Sequence, residues 1–243
     1  MAEARGLHVA ESRLAERVAE GSGPFVVWDV GLGAAANAIA AIEVLAEEGG
    51  SREIEMHSFD RTPEPLEFAA NHAGELGYLR EWLAPVRELI ANGTAQIGNV
   101  CWKFHRGDFC EIVREQPAPA PHAILYDPYS PRVNPGMWTL EHFTRLRRCL
   151  GPANPCTLTS YSRSTAVRVT LLLAGFFVGR GRATGEKDQT TVAATHRELL
   201  HDPIGSEWLG RVRRSTRGGP LREGRPGGPI SSGEYAALVA RIG

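Results

Sequence analysis

The run Phe25-Val26-Val27-Trp28-Asp29-Val30-Gly31-Leu32-Gly33-Ala34-Ala35-Ala36-Asn37 constrains the fold more than any other stretch of the chain. Six residues of strand type, mostly β-branched or aromatic, deliver the backbone to a glycine turn. The next segment has helical period: Ile39, Ile42, Leu45 and Ala46 form an apolar stripe opposite Glu43, Glu47 and Glu48, and Gly49-Gly50 closes it. A strand that turns tightly into a helix is half of a crossover unit, and the chain repeats that alternation. Further strand candidates are residues 54–60, 100–106, 123–127, 156–161, 176–182 and 190–196, which with 25–30 make seven. Such alternation predicts an α/β fold, a mostly parallel seven-stranded sheet flanked by helices. Only residues 183–189 join the last two strands, too few for a crossover helix, so the sheet is expected to end in an antiparallel hairpin.

With 243 residues the chain can bury a large core, and its 42% hydrophobic content and formal charge of -1 exclude a basic protein that coats nucleic acid. Residues 1–20 alternate charged and short apolar side chains, unlike a signal peptide, and the most apolar later run, 169–178, is half as long as a membrane helix requires. A cytoplasmic protein with no membrane segment is expected. Cys101, Cys110, Cys149 and Cys156 lack paired spacing, and His57, His105, His122 and His142 are scattered, so neither a metal site nor a disulfide framework is predicted. Residues 63–93 read as one or two helices, and a loop rich in Pro and Gly at 128–136 leads into a helix over 137–150. Trp138, at its start, reads as a packing residue. The domain boundary is placed after residue 196. Beyond it, residues 197–243 form an extension rich in Arg, Gly and Pro, where Arg211, Arg213, Arg214, Arg217, Arg222 and Arg225 crowd together. That extension is either solvated or an arm for RNA phosphates.

The chemistry concentrates at the ends of the predicted strands. Gly31 and Gly33 let backbone N–H groups approach an anionic ligand group, helped by the helix after the turn. Asp29, two positions before the first glycine, favours S-adenosylmethionine over a dinucleotide, because its carboxylate suits an ammonium. Asp60 ends the second strand and can accept both hydroxyl hydrogens of a ribose; its bland alternative is a helix cap. Asp108 follows the third strand, where a carboxylate can meet the adenine amino group and Phe109 can lie beside the ring, or the pair is a turn residue and a core aromatic. Tyr126-Asp127-Pro128-Tyr129-Ser130-Pro131 ends the fourth strand, at the same sheet edge. Asp127 there can hold or accept the proton of an amine, which at its usual pKa is mostly protonated, and Tyr129 can line the acceptor pocket. A structural turn is the alternative.

The segment Leu125-Tyr126-Asp127-Pro128-Tyr129-Ser130-Pro131-Arg132-Val133-Asn134-Pro135-Gly136-Met137-Trp138 resembles the hydrophobic-Asp-Gly-Phe-Ala-Pro-x-x-Asn-Pro-x-Met-Trp run of the MnmC-like methyltransferases. Weaker matches are Leu14-Ala15-Glu16-Arg17, Gly31-Leu32-Gly33 with Asn37, Ser58-Phe59-Asp60 and Ala174-Gly175-Phe176, so the resemblance spans about residues 6–195. It implies a class I, Rossmann-like S-adenosylmethionine-dependent methyltransferase that methylates the aminomethyl group of a modified wobble uridine in tRNA. The cofactor would lie among Asp29, Gly31, Gly33, Asp60, Asp108 and Phe109, the amine beside Asp127 and Tyr129, and a separate oxidase is a possible partner. The family's Gly-x-Gly-Thr-Gly-x-Asn turn stands here as Gly31-Leu32-Gly33-Ala34-Ala35-Ala36-Asn37, and its basic loop between the last two strands is less positive at residues 181–189. Two other readings stay open at this level: a small-molecule or protein amine as acceptor, and a non-catalytic RNA-binding module that keeps the fold.

Overall fold

Strand β1 (Phe25–Val30) is buried at all six positions, as expected of a strand covered on both faces. The computed structural model describes residues 2–115, 118–152, 154–183, 189–224 and 227–242. The described chain has two units, Met1–Asp127 and Pro128–Gly243.

The first unit opens with α1 (Ala2–Ala4), a π-helical turn over Arg5–Ala10 and α2 (Leu14–Ala19). After β1, α3 (Ala36–Glu48) buries Ile39, Ile42 and Leu45, the stripe that its period predicts. Then come β2 (Ile54–Asp60), α4 (Glu64–Asn71), α5 (Ala73–Leu76), α6 (Leu83–Asn92), β3 (Thr94–Ile97), β4 (Val100–Arg106), α7 (Phe109–Glu115) and β5 (Ala123–Tyr126). Strand order within the unit is β3-β4-β2-β1-β5. The β1–β2, β1–β5 and β2–β4 pairs are parallel, and β3 runs antiparallel to β4. Because β1 lies between β2 and β5, the strand order reverses there, and the carboxyl ends of these strands border the crevice where such sheets bind ligands.

Strand β3 corrects the expected count of seven strands to eight. Its four residues bury only Ala95 fully, so it carries no apolar run. Its signal is the two-residue link Gly98-Asn99, with Gly98 at φ +56°, which sets Ile97 opposite Val100 as a tight hairpin. The stretch 63–93 folds as three helices, where one or two were expected.

In the second unit a 3-10 turn (Pro135–Trp138) precedes α8 (Leu140–Cys149), whose N-cap Thr139 accepts from the His142 amide at 3.2 Å. Next come β6 (Thr157–Ser160), α9 (Thr165–Leu173), β7 (Phe177–Gly181) and β8 (Thr190–Ala194). Their order is β6-β8-β7, and both pairings are antiparallel, so the terminal hairpin is present. Its loop residues 184–188 lie outside the described residues, as does Arg225. Described residues beyond 196 pack within this unit. The Arg180 amide donates to Asp202 O at 2.8 Å and the Ile204 amide to Val178 O at 2.9 Å, which covers the free edge of β7. Gly179 is required there, because a Cβ would meet Asp202 O at 2.8 Å. Trp208, Leu209 and Val212 of the 3-10 turn (Ser206–Trp208) and α10 (Leu209–Arg214), with Leu238 and Ile242 of α11 (Ser232–Ile242), are buried. No helix among the described residues is long and apolar enough to cross a membrane.

Candidate functional site

Seven of the eight residues singled out from the sequence fall in the first unit, at the carboxyl ends of β1, β2, β4 and β5. Asp29 is fully buried, and its Oδ2 accepts the Ser58 hydroxyl at 2.8 Å. Ser58 in turn accepts from Trp102 Nε1 at 2.9 Å, so a buried relay of two donors fixes the carboxylate. The other oxygen, Oδ1, has no hydrogen-bond partner. Burial foremost, with smaller contributions from the nearby Asp127 and Asp60 carboxylates and against the opposing Ser58 hydroxyl, pushes the Asp29 carboxyl up to about 7. Asp29 Oδ1 is thus a buried acceptor without a partner, with two further carboxylates near enough to act on its charge, an environment suited to a cation.

The glycine turn is arranged differently from what its composition suggests. The Gly31 amide donates to Phe59 O at 2.9 Å, and the Gly33 amide to Asp60 Oδ2 at 3.0 Å. Both glycine amides are engaged inside the protein. The donors left to an anionic group are the first-turn amides of α3, which have no helical acceptor. Gly31 and Gly33 both have positive φ, and so does Ala35, the N-cap of α3, at φ 62°. Ala35 holds the left-handed conformation that glycine adopts freely and alanine does not.

Asp60 accepts two backbone amides, Gly33 on Oδ2 and Arg61 on Oδ1 at 2.7 Å. It therefore ties the glycine turn to the end of β2 instead of capping α4. Asp108 accepts the Cys110 amide at 2.8 Å and the Arg61 guanidinium at 2.6 Å, the geometry of a residue capping α7. Burial acts to raise its carboxyl, but the Cys110 amide and Arg61 outweigh it and hold the group below the usual carboxylate range. Phe109 is 5% exposed and packs edge-on against Phe59 at 5.0 Å, Trp28 at 6.1 Å and Tyr126 at 6.5 Å between ring centroids. Asp127 comes directly after β5; its amide donates to Val30 O at 2.9 Å, and its Oδ2 accepts from Asn37 Nδ2 at 3.2 Å.

Tyr129 lies at the start of the second unit. It has φ 59° and is 68% exposed, and its carbonyl accepts from the buried Trp138 Nε1 at 3.0 Å. Trp138 is therefore a packing residue that holds a strained turn. An aromatic ring kept in water on a left-handed backbone is the kind of outlier found at functional sites.

Sequence reasoning missed Ser58, Trp102 and Arg61 and gave Asn37 no role. Only pairing register reveals Ser58, which stands opposite Asp29 across β1 and β2. The scattered histidines also pair: His57 Nδ1 lies 2.8 Å from His105 Nε2, and His57 Nε2 lies 3.0 Å from Glu55. Burial pushes His57 down to about 4, so it is neutral near pH 7. No group of three His, Cys, Asp or Glu residues among the described ones is arranged to hold a metal ion.

The chain is similar to known proteins. A family model described as S-adenosyl-L-methionine-dependent methyltransferase matches residues 77–196. The "tRNA 5-methylaminomethyl-2-thiouridine biosynthesis bifunctional protein MnmC" of Ectopseudomonas mendocina is 28% identical over 216 residues, 84% of this chain and 31% of the relative. The protein of the same name from Ralstonia nicotianae is 32% identical over 156 residues, 62% of this chain and 23% of the relative. The chain thus spans about a third or less of the length of these curated relatives. Among solved structures, MNMC2 from Aquifex aeolicus has the same fold, with a TM-score of 0.70 and 23% identity over 99% of this chain and 73% of that one.

Proposed function

We propose that this chain, which is similar in sequence to the MnmC proteins and to S-adenosyl-L-methionine-dependent methyltransferases, is such a methyltransferase and methylates the exocyclic aminomethyl nitrogen of a modified wobble uridine in tRNA. The observation that carries this reading is the orphaned, buried Asp29 Oδ1 with Asp60 and Asp127 beside it. A dinucleotide would bring phosphate charge to three carboxylates, whereas S-adenosylmethionine brings an ammonium and a sulfonium. The residues present fit the cofactor on that ground. When bound, it supplies an electrophilic methyl group.

In this reading Asp29 holds the ammonium and the first-turn amides of α3 meet the carboxylate. Asp60 keeps an acceptor lone pair on each oxygen for a ribose diol. Asp108 and Phe109 border the adenine, Phe109 as part of an aromatic wall. Asp127, with one oxygen fixed by Asn37, takes the proton of the acceptor amine, so that a neutral nitrogen with an available lone pair faces the methyl group. Tyr129 offers its exposed ring to the modified base. Catalysis comes from positioning and from keeping the nitrogen unprotonated, with no covalent intermediate. The tRNA assignment draws on the names of the relatives and on the segment 125–138.

The test is transfer of labelled methyl from S-adenosylmethionine to tRNA bearing the aminomethyl intermediate. Asp127→Ala should lower kcat by about 10²-fold or more while cofactor affinity, read by calorimetry, changes little. Equal rates for the variant would remove Asp127 from the mechanism, and absence of transfer by the wild type would overturn the acceptor.

A further inference from the structure

The near-zero net charge conceals a sharp division. Residues 1–127 carry 10 Lys and Arg against 20 Asp and Glu, whereas residues 128–243 carry 17 against 8. The second unit is therefore at +9 in a chain whose total is -1. Within it, the acidic groups near the arginines are largely engaged. Arg180 holds Asp202 at 3.2 Å and Glu207 at 2.7 Å, and Arg222 holds Glu141 at 3.3 Å and Glu234 at 2.9 Å.

Arg211, Arg213 and Arg214 of α10, and Arg217 just after it, are all exposed, and none has an acidic partner within ion-pair distance among the described residues. The same short helix buries Leu209 and Val212, and Trp208 precedes it inside. Its apolar side is thus fixed in the core and its cationic side faces solvent. Like charges also approach one another here: burial foremost, and after it the Arg180 and Arg211 charges, lower buried Arg168 to about 10. A surface that concentrates guanidinium groups without counter-charges suits a polyanion. With no exposed apolar residue on α10 to enter a lipid layer, phosphates of a nucleic acid fit better than a membrane.

We propose that Arg211, Arg213, Arg214 and Arg217 form the phosphate-contact surface through which this protein holds its RNA substrate. The proposal rests on the tRNA reading above and assigns RNA affinity to α10 rather than to the cofactor-binding strand ends.

The test measures binding of unfractionated tRNA to the full chain by fluorescence anisotropy across a KCl series, with Arg211→Gln/Arg214→Gln/Arg217→Gln beside the wild type. Arg213 is kept because it stacks over Tyr235 at 5.8 Å. The triple variant should bind at least ~10-fold more weakly at 0.1 M salt, with the slope of log K against log salt reduced by about 2 units. Its thermal midpoint and its S-adenosylmethionine affinity should match the wild type. Unchanged tRNA affinity and slope would overturn the surface assignment even if methyl transfer to tRNA succeeds. Loss of slope together with no methyl transfer by the wild type would keep the surface and reject the acceptor. Binding of the wild type to phosphatidylserine vesicles but not to tRNA would also overturn the proposal.

Discussion

A carboxylate held in a protein interior without a counter-charge is driven toward its neutral form, and Asp29 carries that conflict. Its folded pKa of about 7 exceeds the ordinary value of 3.8, so the folded state binds a proton more tightly than the unfolded state. The stability linked to this proton is fully present below about pH 4 and is lost as pH rises to about 7. Asp29→Asn keeps the shape and an acceptor for Ser58 but cannot ionise. Its stability advantage should therefore grow by on the order of 1 kcal/mol per pH unit across that window and level off above it. Thermal unfolding at pH 5 and pH 8 measures this, and the same variant should lose at least about tenfold in S-adenosylmethionine affinity. A gain independent of pH would show that Asp29 is already ionised when buried.

Ala35 poses a different residue-scale question, since it stands where the MnmC-like turn carries glycine. A left-handed alanine costs about 1–2 kcal/mol. Its methyl is fully buried, which returns about 0.8 kcal/mol, and glycine would add about 0.4–1 kcal/mol of unfolded-state entropy. These terms nearly cancel, so the turn tolerates alanine. Ala35→Gly should change stability by less than ~0.5 kcal/mol in denaturant unfolding, whereas Ala35→Val should destabilise by more than about 2 kcal/mol, because a β-branched residue resists positive φ in a packed site.

At the scale of elements, Arg52 joins the helical entrance to the sheet. Its guanidinium donates to Gly23 O at 2.8 Å, to Arg17 O and Val18 O at 3.0 Å and to Glu20 O at 2.6 Å, and it lies 5.0 Å from the Phe25 ring. Three carbonyls at the end of α2 and one in the loop before β1 depend on one side chain. Arg52→Ala should cost about 2–3 kcal/mol, and hydrogen exchange should show faster opening of residues 14–20 than of β1. Equal protection in both regions would show that α2 is held by packing alone. The bounds of β1, β2 and β4 coincide with those read from the sequence, because β1 is an almost continuous apolar run and β2 and β4 interleave apolar or aromatic residues with polar ones, each ended by a turn. Strand β3 escaped notice because a hairpin turn and backbone pairing define it, with one buried side chain. The segment beyond residue 196 read as either a solvated extension or an arm for RNA phosphates because its apolar residues are sparse. In the fold Leu200, Ile204, Trp208, Leu209, Val212, Leu238 and Ile242 are buried, and 202–204 pairs along β7.

At the scale of the molecule, local chemistry along the chain determined the α/β class, the terminal hairpin, the turn that leads into α3 and the acidic residues at the strand ends. Each is written in neighbouring residues: period, turn type, and an Asp at the end of an apolar run. Tertiary structure decided what joins residues distant in sequence. It set Ser58 and Trp102 behind Asp29, tied Gly33 to Asp60 across 27 positions, and engaged the glycine amides that composition alone leaves open. It also sorted the charge: acidic pairing occupies Arg180 and Arg222, while Arg211, Arg213, Arg214 and Arg217 stay exposed. The division has one physical cause. Strand and helix preferences act over a few residues, whereas hydrogen-bond satisfaction and charge compensation depend on which atoms the folded chain brings within about 3 Å of one another.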